Sequence, residues 1–350
     1  MMRPPAGEGR TRMDFSFYLP CYWPDTTVHA RDMYAQMVEQ ARLAEDLGFA
    51  TLAIPEHHFI NYLTHPNALL SAVRVASATR RIPIITSVLV LPFYDMRTLA
   101  GQVTQADCLM DGRLQIGVGR GAFRYEFDRL NVPFEESRAR FDEALNLLVK
   151  LLTEDEVAWE GTYYRFPALT VTPKPVQRPH PPIWIAALAP EAIYHSARRG
   201  FHVQTTPLRD PFAAAKAQAD AFARGRAESG RPAGSQRLSM LRMAYVAKDE
   251  ADAAEKTRIA YENHRRFYNV FNTPGRVEKG AIVPLEPPET LEDVANALVI
   301  GTAERCIELF RRYAACGIDD LLLNMSFGAS HADVMAGMER FVRDVRPHVI

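Results

Sequence analysis

Residues 82–91 read IPIITSVLVL. A strand with one wet face alternates apolar and polar side chains. A run that is apolar at both parities is a strand buried on both faces, as in a parallel sheet covered by helices. Working outward, the chain repeats that unit. Upstream, MDFSFYL (13–19) and TLAI (51–54) read as strands, with helical periodicity from Arg31 to Leu47 that Gly48 stops. A helix follows over 66–80, with Pro66 suited to its first turn. Downstream, a helix from Arg97 to Met110 runs into the breaker Asp111-Gly112, and RLQIGVGRG (113–121) is the fourth strand and its loop. Residues 136–152 carry an apolar stripe through Ala139, Leu145, Leu148 and Leu152, with Glu143 and Lys150 facing water.

The rhythm breaks over residues 154–182, where VAWE and TYYRF suggest a hairpin around Gly161 and PKPVQRPHPP a proline-rich connection. This stretch reads as a peripheral excursion. PIWIAA resumes the pattern as strand five, followed by a helix from Pro190 to Arg199, FHVQT (201–205), a helix over 211–226, SMLRMAYVA (239–247) and DLLLNM (320–325). Eight strands separated by helices, without a clear pair of weaker edge strands, predict an α/β (β/α)8 TIM barrel. GVGRGAF lacks the GxGxxG spacing of a dinucleotide fold. Residues 13–350 are then one barrel domain behind a flexible leader, residues 1–12.

Composition agrees with a large enclosed core: 47% of the 350 residues are hydrophobic. Lys plus Arg number 41 and Asp plus Glu 42, so the formal charge of -1 gives no reason to expect nucleic acid or an anionic membrane. No stretch has the roughly eighteen consecutive apolar residues of a membrane span. Cys21, Cys108, Cys306 and Cys316 form no CxxC, which suits a reducing, cytoplasmic setting.

In a barrel the residues after each strand converge on one mouth. Strand two brings Glu56, His57 and His58, and strand three brings Ser87, Val88 and then Pro92 to Asp95. Strand four brings Gly119, Arg120 and Phe123, and strand five the turn from Ala187 to Ala192. Arg120, between glycines, suits either a phosphate or a carboxylate that clamps the loop. Adjacent side chains diverge in an extended segment, so His57 and His58 are poor joint ligands for one metal. Each is a buried, hydrogen-bonded histidine or a ligand-facing base or donor, with Glu56 orienting one of them or pairing with an arginine. Phe93, Tyr94, Phe123 and Trp184 could line a cavity, although Trp184 inside a strand equally suits the core.

LAEDLGFATLAIPEHHF, TSVLVLP with HPN before it, QADCLMDGRLQIGVGRG, PPIWIAALAPEAIYHSARRG and VIGTAERCIELFRRYAACGIDDLLLNMSFG together resemble the bacterial luciferase-like flavin monooxygenases of the alkanal-monooxygenase type. The resemblance implies a (β/α)8 barrel with an insertion near its C-terminal mouth, usually dimeric, that uses reduced FMN as co-substrate, dioxygen and a small organic substrate: an aldehyde, a ketone or an aromatic. A separate NAD(P)H-flavin reductase would supply the FMNH2, and a homodimer is expected. His57 matches the family's histidine that works on the oxygen-reacting flavin, and Arg120 a contact to the FMN phosphate. Ser87-Val88 matches a non-prolyl cis peptide beneath the flavin ring. Phe123 stands where a relative has tyrosine, and Gly119 where the luciferase has a reactive cysteine. Ala189 and Ala192 replace hydroxyl-bearing phosphate contacts, leaving backbone N–H groups at the next helix start. Two alternatives stand beside this reading: an oxidoreductase using an F420-type deazaflavin, and a non-catalytic flavin-binding barrel.

Overall fold

A computed structural model describes residues 13–208 and 211–349, so the proposed leader lies outside the described residues. Eight parallel strands close on themselves: β1 Asp14–Tyr18, β2 Leu52–Ile54, β3 Ile84–Thr86, β4 Leu114–Gly119, β5 Ile183–Ala186, β6 His202–Thr205, β7 Leu238–Val246 and β8 Asp320–Asn324. Phe17 opposite Leu52 opens the ring, and Asp320 opposite both Ser239 and Asp14 shuts it. All eight follow the strands read from the sequence. No helix among the described residues is long and apolar enough to cross a membrane.

The run at 82–91 is shorter as a strand than its composition suggests. β3 ends at Thr86, whose hydroxyl bonds both the N–H and the carbonyl of Gly117 at 2.9 Å in place of the backbone ladder. The Ser87-Val88 peptide is cis, and Leu89–Val90 then rejoins the sheet against β4. Helix boundaries shift similarly. The helix after β2 spans Ala68–Ala76, capped by Asn67 through the Leu70 N–H at 2.9 Å, so Pro66 precedes the cap instead of occupying the first turn.

Outward-facing strand residues pack under the helices: Phe17, Leu52, Ile54, Ile84, Leu114 and Ile116 are all fully buried. Each such side chain stabilises the fold by about 1.5–3 kcal/mol. Inside the barrel Tyr18, Ala53, Ile85, Trp184 and Leu322 form a second cluster. Trp184 belongs to that filling, since its ring stacks on His202 at 4.5 Å and its N–H bonds Gln115 at 2.7 Å.

Two segments decorate the barrel. The hairpin Val157–Glu160 with Arg165–Leu169 lies against the helix Ser137–Thr153. Glu143 of that helix does not face water as expected; it accepts hydrogen bonds from the Trp159 ring and the N–H groups of Thr162, Tyr163 and Tyr164. Ala139 is exposed, outside the buried stripe. The second segment, between β7 and β8, has no counterpart in the sequence reading. It holds the helix Glu250–Asn272, the hairpin Val277–Glu278 with Ala281–Ile282, the helix Leu291–Ala297 and a short strand Val299–Gly301 beside β7.

Candidate active site

β2 ends at Ile54, and the next residues carry two histidine–carboxylate pairs. Residues two apart in extended chain share a side, so Glu56 and His58 meet: His58 Nε2 stands 3.0 Å from Glu56 Oε1. The other Glu56 oxygen accepts from the Tyr94 hydroxyl at 2.6 Å, and Tyr164 of the peripheral hairpin bonds the Tyr94 carbonyl at 3.2 Å. Burial lowers the His58 pKa, but the hydrogen bond and charge of Glu56, with Glu126 behind, outweigh it and leave the pKa raised. Burial and the Glu56 carboxylate also push the Tyr94 hydroxyl far up, so it remains a donor.

His57 turns the other way. Its Nδ1 stands 3.1 and 3.2 Å from the two oxygens of Glu126, and the His58 backbone N–H donates to Glu126 at 2.6 Å. Glu126 is 1% exposed. A carboxylate on Nδ1 keeps the proton there and leaves Nε2 with its lone pair, the tautomer a base needs. The imidazole lies flat on Phe123, with ring centroids 4.4 Å apart and planes at 14°. The two histidines therefore diverge onto different carboxylates, and Glu56 orients His58. Glu126 is absent from the sequence reading; in RYEFDR it looks like an ordinary charge on a short helix.

The β3–β4 side forms the wall. A Cβ on Gly119 would stand 2.6 Å from a methyl of Val88 and 3.6 Å from Ala186, so this glycine makes room for the cis Ser87-Val88 segment. Gly121, at φ +87°, would bring a Cβ within 2.8 Å of Val90 and 2.7 Å of the Phe127 ring. The glycines flanking Arg120 are thus packing requirements of the loop. Arg120 is half-buried over the Phe134 ring, 5.6 Å from its centroid, with no salt-bridge or hydrogen-bond partner among the described residues. Burial, then the like charge of Arg138, lowers its pKa. A carboxylate clamp is therefore not its role here, and its charge has no counter-ion among the described residues.

The helix Pro190–Arg198 begins at Ala189, which provides no side-chain cap. Ala189 is exposed and Ala192 half-buried, so any anion there meets backbone N–H groups only. The insertion after β7 covers the opposite side. Phe267 and Phe271 stack at 4.8 Å and reach Phe123 at 6.4 and 6.5 Å. Asn61, itself 4% exposed, clips the neighbouring hairpin down through the Gly280 carbonyl at 2.8 Å and the Ile282 N–H at 3.0 Å. His57 is thus flanked by the rings of Tyr62, 6.3 Å away, and Phe123, and the insertion's rings back these two.

These residues suit a flavin phosphate and ring: an uncompensated arginine, a loop packed without side chains at Gly119 and Gly121, and a histidine held by a carboxylate. Comparison with known proteins points the same way. A family profile described as luciferase-like monooxygenase matches residues 13–320. The oxygenase component of the flavin-dependent trigonelline monooxygenase of Acinetobacter baylyi is 29% identical, over 91% of this chain and 90% of the relative. A monooxygenase from Streptomyces bottropensis superposes with a TM-score of 0.83 at 26% identity, over 97% of this chain and 100% of that one. The oxygenating constituent of 3,6-diketocamphane monooxygenase from Pseudomonas putida, solved with FMN, superposes at 0.77 with 17% identity, over 97% of this chain and 100% of that one.

Proposed function

The chain belongs to the luciferase-like monooxygenase family, and from that premise we propose that it is the oxygenase component of a two-component system. In this reading it takes FMNH2 from a separate NAD(P)H-flavin reductase, works as a homodimer and uses dioxygen to oxygenate a small organic substrate. The observation that carries the proposal is the meeting, at one barrel mouth, of the His57–Glu126 pair and an Arg120 without a counter-ion among the described residues.

Bound FMNH2 supplies the reducing electrons for dioxygen, which no side chain here can provide. The protein does the rest. Arg120 holds the phosphate, and the N–H groups after Ala189 assist without hydroxyl help. Ser87-Val88, Gly119 and Phe123 would hold the flavin ring. His57 Nε2 accepts or returns a proton near the reacting oxygen while Glu126 steadies Nδ1. Glu56 and His58 hold the strand end that carries His57. The rings of Phe267 and Phe271 on the insertion exclude water, and with Tyr62 and Phe123 they favour a planar aromatic over an open-chain aldehyde or ketone.

The test is anaerobic titration with FMNH2 and, separately, with reduced F420, followed by admission of labelled dioxygen and a panel of aromatics, ketones and aldehydes. The proposal expects FMNH2 binding and one labelled oxygen atom in a product only when all three components are present. F420 binding with hydride transfer and no label would replace it. Flavin binding without turnover of any panel member would favour a non-catalytic barrel.

A further inference from the structure

One polar side chain at the mouth has no part in the scheme above. Gln204, in β6, lies in register with Ala186 at the end of β5, and Ala186 is exposed. Gln204 is 8% exposed, and its carboxamide oxygen is buried with no hydrogen-bond partner among the described residues. Leaving such a group unpaired costs about 1–3 kcal/mol, and most buried polar atoms in native proteins do have partners.

The surroundings indicate how the amide can be satisfied. A Cβ on Gly117 would stand 2.8 Å from Gln204 Oε1 and 2.0 Å from the Thr86 carbonyl oxygen, so both oxygens lean over the same glycine. The Gly117 N–H serves neither, because the Thr86 hydroxyl takes it at 2.9 Å. A half-turn of the terminal amide exchanges its oxygen and nitrogen, which are nearly equal in size. It brings the NH2 group toward the Thr86 carbonyl and turns the oxygen to the open side, beside Ala186. The mouth then presents a carbonyl acceptor at the level where a ring resting on Ser87-Val88 would end.

We propose that Gln204 reads the edge of the bound ring, accepting a hydrogen bond from a ring N–H of lactam or imide type. The inference rests on the flavin reading for one of two sources of that edge: the imide N–H of the flavin itself, or a ring N–H on a heteroaromatic substrate. Gln204→Met keeps the length and removes the acceptor. Binding is measured for wild type and variant with FMN and N3-methyl-FMN by fluorescence titration, and with 2-pyridone and its N-methyl counterpart by calorimetry. If the flavin is the source, wild type prefers FMN over the N3-methyl form by about tenfold, the worth of one hydrogen bond, and the variant loses that preference. If the substrate is the source, the loss appears with the pyridone pair and the flavin pair is indifferent. Gln204→Met also removes the NH2 group that the turned amide brings to the Thr86 carbonyl, so the ligand-free variant melts at or slightly below wild type. Absence of any preference in wild type for both pairs makes Gln204 a structural residue and overturns the inference. Failure of wild type to bind any flavin would sink the proposed function, yet the pyridone pair would still decide on Gln204.

Discussion

The two ends of the barrel both bury carboxylates, and treat them in opposite ways. At the floor, Asp320 accepts hydrogen bonds from the hydroxyls of Ser16 at 2.7 Å and Ser239 at 2.5 Å. Arg237 is close enough to lower its pKa slightly but makes its ion pair with Asp14 at 2.8 Å. With only neutral donors in direct contact, burial wins and the Asp320 pKa rises to about 6. At the mouth, Glu56 and Glu126 are as deeply buried, yet each faces an imidazole. A carboxylate bonded to hydroxyls can only be charged or neutral. One bonded to a histidine can keep its charge while a proton moves on and off the far nitrogen. The same fold thus uses one buried acid to tie strands together and pairs two others with imidazoles, as the proposed chemistry needs.

The sharpest way to break this comparison is at His57. His57→Ala is expected to lower oxygenation by roughly 10²–10⁴-fold, the usual worth of a positioned acid–base group. FMN affinity should change far less. Glu126→Gln retains an acceptor for the His58 N–H but loses the charge behind Nδ1, so it should lower turnover by a smaller factor and shift the pH–rate profile. Single-turnover measurements with a flavin titration alongside separate the two effects; equal losses of turnover and flavin affinity in His57→Ala would return the residue to a binding or folding role.

Arg120→Ala comes next. It removes the only direct charge assigned to the phosphate, and with Ala189 and Ala192 unable to compensate, FMN affinity is expected to fall by about 10–100-fold, some 1.4–2.8 kcal/mol. Riboflavin, which has no phosphate, should bind wild type and variant alike. Unchanged FMN affinity would mean that Arg120 only stiffens its loop. Melting temperature should hold or rise slightly, because a half-buried cation without a partner is removed.

How far these sites could be read without coordinates follows from the same physics. The eight strands were legible because burial on both faces leaves continuous apolar runs such as IIT and LLL. The Glu56–His58 contact is implicit in the two-residue period of extended chain. The helix Glu250–Asn272 left no such trace, since the residues it buries include Asp252, Lys256, Asn263 and Asn269. Lys256, for instance, is held at 3.1 Å by both Asp252 and Asp333. A helix that buries ion pairs and amides lacks the apolar stripe by which helices are recognised. Glu126 was hidden for a different reason: nothing in residues 124–129 shows that the chain brings them back to His57. The phosphate option for Arg120 was open from its setting between glycines, whereas the role of Ser87-Val88 came from family resemblance and not from pattern.

The floor carboxylate should give the smallest effect and the cleanest sign. Its folded pKa, about 6, lies above the ordinary aspartate value of 3.8, so the fold favours the protonated form. That contribution to stability is fully present below the unfolded pKa and is lost as pH rises through the folded value, with the change confined to the window between roughly 4 and 6. Asp320→Asn does not titrate, and its amide can accept from one serine and donate to the other. It should therefore match wild type near pH 4 and become the more stable protein above pH 6, by about 1–2 kcal/mol. That range is discounted from the roughly 3 kcal/mol that two pKa units would imply, because the serines must reorient. Denaturant melts at pH 4.5, 6 and 7.5 would show the gap opening with pH, while flavin affinity and turnover stay at wild-type levels. A variant less stable than wild type at pH 7.5 would mean that the ionised Asp320, with Arg237 close by, stabilises the floor and that the two ends of the barrel use their carboxylates in the same way.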